Sequence, residues 1–154
     1  MTRIVADWVT APASRAVMDA LGEGWFVGGC VRNALLGAPV ADIDIATPLV
    51  PEVVIERLEH AGLKAVPTGL KHGTVTAVHD GKPVEVTTFR ADVATDGRHA
   101  EVAFTTDMAV DAGRRDFTMN ALYADRDGVV IDPLGGLTDL DARQVRFIGR
   151  AEDR

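Results

Sequence analysis

Two carboxylates one residue apart, Asp42 and Asp44, follow closely on a glycine pair, Gly28 and Gly29, in the stretches DIDIAT and GGCVRNALLG. On a strand, residues i and i+2 project to one face, about 6–7 Å apart along the backbone. The two acids would then converge on one side while Ile43 and Ile45 turn to the core. Carboxylates so placed repel each other unless a cation sits between them. Magnesium suits that position, because it takes one or two carboxylates, keeps waters and completes its shell with substrate phosphate. The glycines lack Cβ and let the backbone approach a ligand. A helix beginning there offers free N–H groups and partial positive charge to an anion. Arg32, on its first turn, adds a bidentate phosphate contact. Together these parts read as a site for a nucleoside triphosphate with magnesium. Singly, each also reads as something plainer: a tight strand–helix turn with a surface arginine, or an exposed acidic strand face.

Metal-assisted phosphoryl chemistry calls for a third acid, and Glu85 in VEVTTFR is the candidate. It joins the pair only if its strand neighbours that of Asp42; otherwise it is an outward-facing residue of a hairpin. RRDFTMNA supplies Arg114, Arg115, Asp116 and Asn120. Read as a helix over 115–123, this segment puts two arginines at a helix start, where anions are preferred, and a shared anionic ligand would account for them. Asn120 offers a hydrogen bond to a ribose hydroxyl. Cys30, the sole cysteine, reads as a small buried hydrophobe and excludes an intramolecular disulfide. His72, His79 and His99 show no metal-ligand spacing.

Other elements must hold these residues in place. The pattern predicts a helix over 14–21 capped by Ser14, a strand over 25–27, a helix over 31–36 stopped by Gly37, and the acidic strand over 41–46. A further helix is signalled by Thr47-Pro48 and ended by Gly62. Strands at 74–79 and 83–89 flank Asp80-Gly81, a hairpin dipeptide. Residues 90–98 read as a polar flexible loop. Strands are expected at 100–104, 129–132 and 143–148. Without regular βαβ alternation, the class is α+β.

The chain has 154 residues, 47% of them hydrophobic, and a formal net charge of −7, which argues against a surface that is basic throughout. No segment approaches the roughly 20 apolar residues of a membrane span, and a cytoplasmic setting is expected. The charged ending AEDR suggests one domain of a longer protein.

GGCVRNALLG with DIDIAT, then HGTV, EVTTFR, RRDFTMNA and DPLGGLTDLDARQVRFIG, in that order, resemble the head domain of class II tRNA nucleotidyltransferases, the CCA-adding enzyme and bacterial poly(A) polymerase family. The resemblance spans residues 24–149. It implies a polymerase-β-like fold with a small mixed sheet backed by helices, a head domain at 1–150, and the start of a neck at 151–154. Asp42 and Asp44 would bind catalytic Mg2+. Gly28, Gly29 and Arg32 would contact the triphosphate, and Arg114, Arg115, Asp116 and Asn120 would hold the incoming nucleotide. Residues 90–111 would form the loop associated with switching from C to A addition. Asn33 stands where the family usually has Asp. The implied activity is addition of CCA to the tRNA 3′ end from CTP and ATP. Poly(A) synthesis and partial CC- or A-addition are the near alternatives, because the nucleotide-reading motif belongs to the neck. A catalytically silent nucleotide- and metal-binding head, and a small nucleotidyltransferase acting on protein or antibiotic, are the others. The head alone is expected to be inactive or weak, with tRNA held mainly by other domains.

Overall fold

The computed structural model describes residues 2–94, 100–115 and 118–136. Their helices are α1 (Pro12–Leu21), α2 (Gly29–Leu36), α3 (Pro51–His60) and α4 (Met108–Gly113). The strands are β1 (Trp25–Val27), β2 (Asp44–Thr47), β3 (Lys64–Gly69), β4 (Thr74–His79), β5 (Lys82–Thr88), β6 (Arg90–Ala94), β7 (Ala100–Phe104), β8 (Tyr123–Ala124) and β9 (Val130–Ile131). Seven strands form one sheet in the order β3-β4-β5-β2-β1-β8-β9, and β6 and β7 pair separately. Only β2 and β5 run parallel in the large sheet. The result is the expected mixed α+β architecture. Among the described residues no helix is long and apolar enough to cross a membrane.

Alternation along the central strands explains the two cores. Phe26, Ile45 and Ala124 face the larger core, shared with Val17, Leu21, Val54 and Leu58 from α1 and α3. Their neighbours Val27, Ala46 and Tyr123 face a smaller core with Phe89, Ala112 and Ala121. The middle of the sheet is therefore covered on both sides. Trp25 stacks on Phe89 at 5.8 Å, and Phe89 meets Tyr123 edge-on at 6.3 Å.

Several sequence expectations need correction. Residues 115–123 are not a helix: a 3-10 turn at Thr118–Asn120 leads into β8. Ala121, Leu122, Tyr123 and Ala124 are all fully buried, which suits a strand covered on both faces rather than an amphipathic helix. Residues 90–94 form β6, paired with β7, instead of a loop. The sequence pattern signals neither β3 nor α4. The α3 helix starts at Pro51 rather than after Thr47-Pro48, with proline in its first turn. Ser14 lies inside α1 and donates to the Trp8 carbonyl at 2.6 Å. The acidic strand begins at Asp44, so Asp42 precedes it. The hairpin at Asp80-Gly81 is present, with φ of 49° and 77°. The strand expected at 143–148 lies outside the described residues.

Candidate active site

The chain leaves β1 at Val27 and enters α2 through Gly28, whose φ of 77° and ψ of −132° are open essentially to glycine alone. A Cβ there would still find space, its nearest neighbour being Arg115 Nη1 at 3.8 Å. The backbone conformation, rather than crowding, requires glycine. Cys30 is buried on the next turn and donates to the Val27 carbonyl at 3.4 Å. Burial pushes its thiol pKa up, as expected for an inert packing residue. Arg32 turns back across the helix start and donates to Asn120 Oδ1 at 2.7 Å and Asn33 Oδ1 at 3.1 Å. Asn33 in turn donates to the Pro39 carbonyl at 3.2 Å.

The conditional reading of Glu85 is resolved by β5 lying beside β2. Asp44 and Glu85 are register partners, and the Glu85 N–H donates to the Ile43 carbonyl at 3.1 Å. Ile45 is fully buried and Ile43 packs against the large core, leaving the acids on the opposite face. Burial, then the hydrogen bond and charge of Glu85, then Asp42, push the Asp44 carboxyl up to about 7. This crowding of negative charge fits a divalent cation. Among the described residues no three His, Cys, Asp or Glu side chains are grouped to hold a metal by themselves.

Arg114 and Arg115 face the acids from the C-terminal end of α4, where cations are favoured. Their placement is the reverse of the sequence expectation and removes its electrostatic oddity. Asp107 caps the helix start by accepting from the Ala109 N–H at 2.9 Å. Arg115 Nη2 pairs with Asp111 Oδ2 at 3.0 Å, and the Tyr123 hydroxyl donates to the same oxygen at 2.6 Å. Burial opposes the Arg115 charge, but Asp111 and Tyr123 together outweigh it and raise the pKa. Arg114 pairs with Asp92 of β6 at 3.1 Å. Asp116 lies outside the described residues.

These groups surround one polar cleft of about 500 Å3, lined by Gly28, Gly29, Arg32, Arg114, Arg115 and Asn120 on one side and Asp44 and Glu85 on the other. Asp42 is exposed and borders the acids from outside this cleft. Four lining residues are not among the expected site residues: the apolar Val27 and the polar Thr74, Thr87 and Arg90. Thr87 was within reach, since alternation puts it on the face of Glu85. Arg90 was not, because its segment reads as a loop. Its backbone N–H donates to Asp111 Oδ1 at 2.9 Å and its Nη1 to the His72 carbonyl at 3.2 Å. Its Nε is buried without a hydrogen-bond partner. Burial first, then Arg114, lower the Arg90 pKa.

Fold and site together define a mixed α+β head in which an acidic row faces a cationic cleft across a glycine turn. The chain belongs to the poly A polymerase head domain family, whose model matches residues 24–146. It is 46% identical over 128 residues to the mitochondrial CCA tRNA nucleotidyltransferase 1 of Mus musculus, covering 82% of this chain and 30% of that protein. It is 43% identical over 145 residues to a CCA-adding enzyme of Lactobacillus delbrueckii subsp. bulgaricus, covering 93% of this chain and 36% of that one. The fold matches the crystal structure of the Bacillus stearothermophilus CCA-adding enzyme in complex with CTP with a TM-score of 0.78 and 40% identity, over 94% of this chain and 36% of that one. The chain thus spans about a third of the length of these relatives. Membership of a nucleotidyltransferase family implies a divalent metal.

Proposed function

We propose that this chain is the catalytic head of a cytoplasmic CCA-adding tRNA nucleotidyltransferase, with residues 1–150 as the head and 151–154 leading to a neck. It uses CTP and ATP to extend the tRNA 3′ end without a nucleic-acid template. The observation that carries this reading is the register pairing of Asp44 with Glu85 across a cleft from Arg32, Arg114 and Arg115. That arrangement has acids for a cation and arginines for a triphosphate within one hollow.

The residues divide the work. Gly28 and Gly29 bring the α2 N-terminus up to the triphosphate, and Arg32 and Arg115 neutralise its oxygens. Asn120, held by Arg32, is placed for the ribose, and Asp116 belongs to the same nucleotide-holding segment. Asp42 and Asp44 hold Mg2+, with Glu85 beside them. When bound, the metal lowers the pKa of the attacking hydroxyl and offsets charge on the phosphates. A bond forms from the RNA 3′-oxygen to the α-phosphorus, the bridging bond to the β-phosphate breaks, and pyrophosphate leaves with the electron pair. The hydroxyl proton passes to water. No protein nucleophile takes part, so positioning and electrostatics supply the rate.

The test is extension of a tRNA lacking its 3′ end by the full-length protein, with magnesium and each nucleotide in turn, resolved at single-nucleotide length. Addition of C, C and A with a hard stop is expected. A long A tail would assign poly(A) synthesis instead, and no addition would leave a silent nucleotide-binding head.

A further inference from the structure

Tyr123 carries a buried hydroxyl that the proposed chemistry does not use. Its side chain is fully buried and meets Phe89 edge-on at 6.3 Å. A phenylalanine would fill that space equally well. A buried hydroxyl costs free energy unless it is hydrogen-bonded, and this one both donates and accepts. It donates to Asp111 Oδ2 at 2.6 Å and accepts from Arg115 Nε at 3.3 Å. Burial raises the Tyr123 pKa, so the phenol keeps the proton that it donates.

Nε and Nη2 of an arginine lie along one edge of the planar guanidinium. In Arg115 that edge is taken, Nε by Tyr123 and Nη2 by Asp111 Oδ2 at 3.0 Å. The other oxygen of Asp111 accepts the Arg90 backbone N–H at 2.9 Å, so the carboxylate is itself fixed. Arg115 lines the cleft, whereas Tyr123 and Asp111 stand behind it. The remaining nitrogen, Nη1, enters neither bond. It lies 3.8 Å from where a Cβ on Gly28 would stand, and so faces the glycine turn that opens α2.

We propose that Tyr123 is a positioning residue for the incoming nucleotide: with Asp111 it clamps Arg115 so that Nη1 meets a triphosphate oxygen at the Gly28 turn. This role rests on the nucleotidyl-transfer reading above. A loose arginine must be ordered when the nucleotide binds, which weakens binding by about two- to tenfold. The clamp orders the side chain during folding, before the ligand arrives. Arg114 offers a contrast. It pairs with Asp92, whose side chain is 46% exposed, and such surface pairs hold a side chain loosely.

The test is a double-mutant cycle in the full-length protein, read by calorimetry as the Kd for CTP with magnesium. Tyr123→Phe keeps the ring and removes the hydroxyl. It should weaken CTP binding by about three- to tenfold, while KM for tRNA lacking its 3′ end stays within about twofold. In an Arg115→Ala background the same substitution should change CTP affinity by less than about twofold, because the clamp has lost the group it holds. A purely structural hydroxyl would cost the same in both backgrounds. Asp111→Asn keeps the shape of the carboxylate and opens the clamp from its other side. It should show the same dependence on Arg115, and it decides the matter if circular dichroism shows Tyr123→Phe unfolded. Unchanged CTP affinity, or equal losses with and without Arg115, overturns the role of Tyr123. Wild-type protein that binds CTP but adds nothing to RNA overturns the proposed reaction itself, and the cycle still decides the clamp.

Discussion

Asp111 Oδ2 accepts from Arg115 Nη2 at 3.0 Å while its Oδ1 accepts the Arg90 backbone N–H at 2.9 Å. One carboxylate, 1% exposed, thus fixes both a cleft arginine and the first residue of β6. Breaking a buried ion pair by removing one partner costs about 3–5 kcal/mol. Asp111→Ala is expected to lose about that much in urea denaturation. Tyr123→Phe, which deletes one donor to the same carboxylate, should lose about 1 kcal/mol. Equal losses would mean that the charge of Asp111 carries no special weight.

Asp44 gives the protein a pH signature. Its native carboxyl titrates at about 7, against an ordinary 3.8. A proton therefore binds more tightly in the folded state. The stabilisation from protonated Asp44 is complete below about pH 4 and is lost as pH rises through 7. In metal-free buffer, the melting temperature of Asp44→Asn should gain on wild type between pH 5 and 8. Magnesium should narrow the gap most at the alkaline end, because it binds the ionised form. Parallel curves would contradict the crowding of Asp44 with Glu85 and Asp42.

The residues legible in the sequence are those whose local pattern and tertiary setting agree. A strand running into Gly28-Gly29, an Asp-Gly hairpin and the alternation around Glu85 each carry their geometry in a few neighbouring residues. The pairing of β2 with β5 was only a condition, because a parallel neighbour across intervening strands leaves no local trace. Arg114 and Arg115 were placed at the wrong end of a helix. The six residues of α4 are too short to show a helical period, and the fully buried run at 121–124 imitates helical hydrophobicity. Arg90 was lost because β6 draws its order from β7, across residues that read as polar turn.

Two glycines differ in why they are needed. Gly73 has φ of 79°, and a Cβ there would lie 2.7 Å from Phe104 Cε1, so backbone and packing both oppose substitution. Gly28→Ala meets only the backbone penalty, about 1–3 kcal/mol. Both substitutions should lower the melting temperature, while Gly28→Ala should raise KM for CTP more strongly.

Arg32 reaches Asn120 through its guanidinium fork. Arg32→Lys keeps the charge and loses that geometry. A charged hydrogen bond is worth about 1.5–3 kcal/mol, so KM for CTP should rise about 10- to 100-fold in both Arg32→Lys and Arg32→Ala. Full rescue by lysine would show that charge alone suffices.

The central claim is that Asp42 and Asp44 serve the transfer chemistry. Single-turnover addition of CTP to tRNA lacking its 3′ end, by full-length Asp42→Asn and Asp44→Asn in magnesium, tests it most directly. Rates should fall by at least roughly 10²–10³-fold, the scale of losing one electrostatic element of a preorganised site, while the folded state persists. Addition at near wild-type rate in either variant would contradict the account.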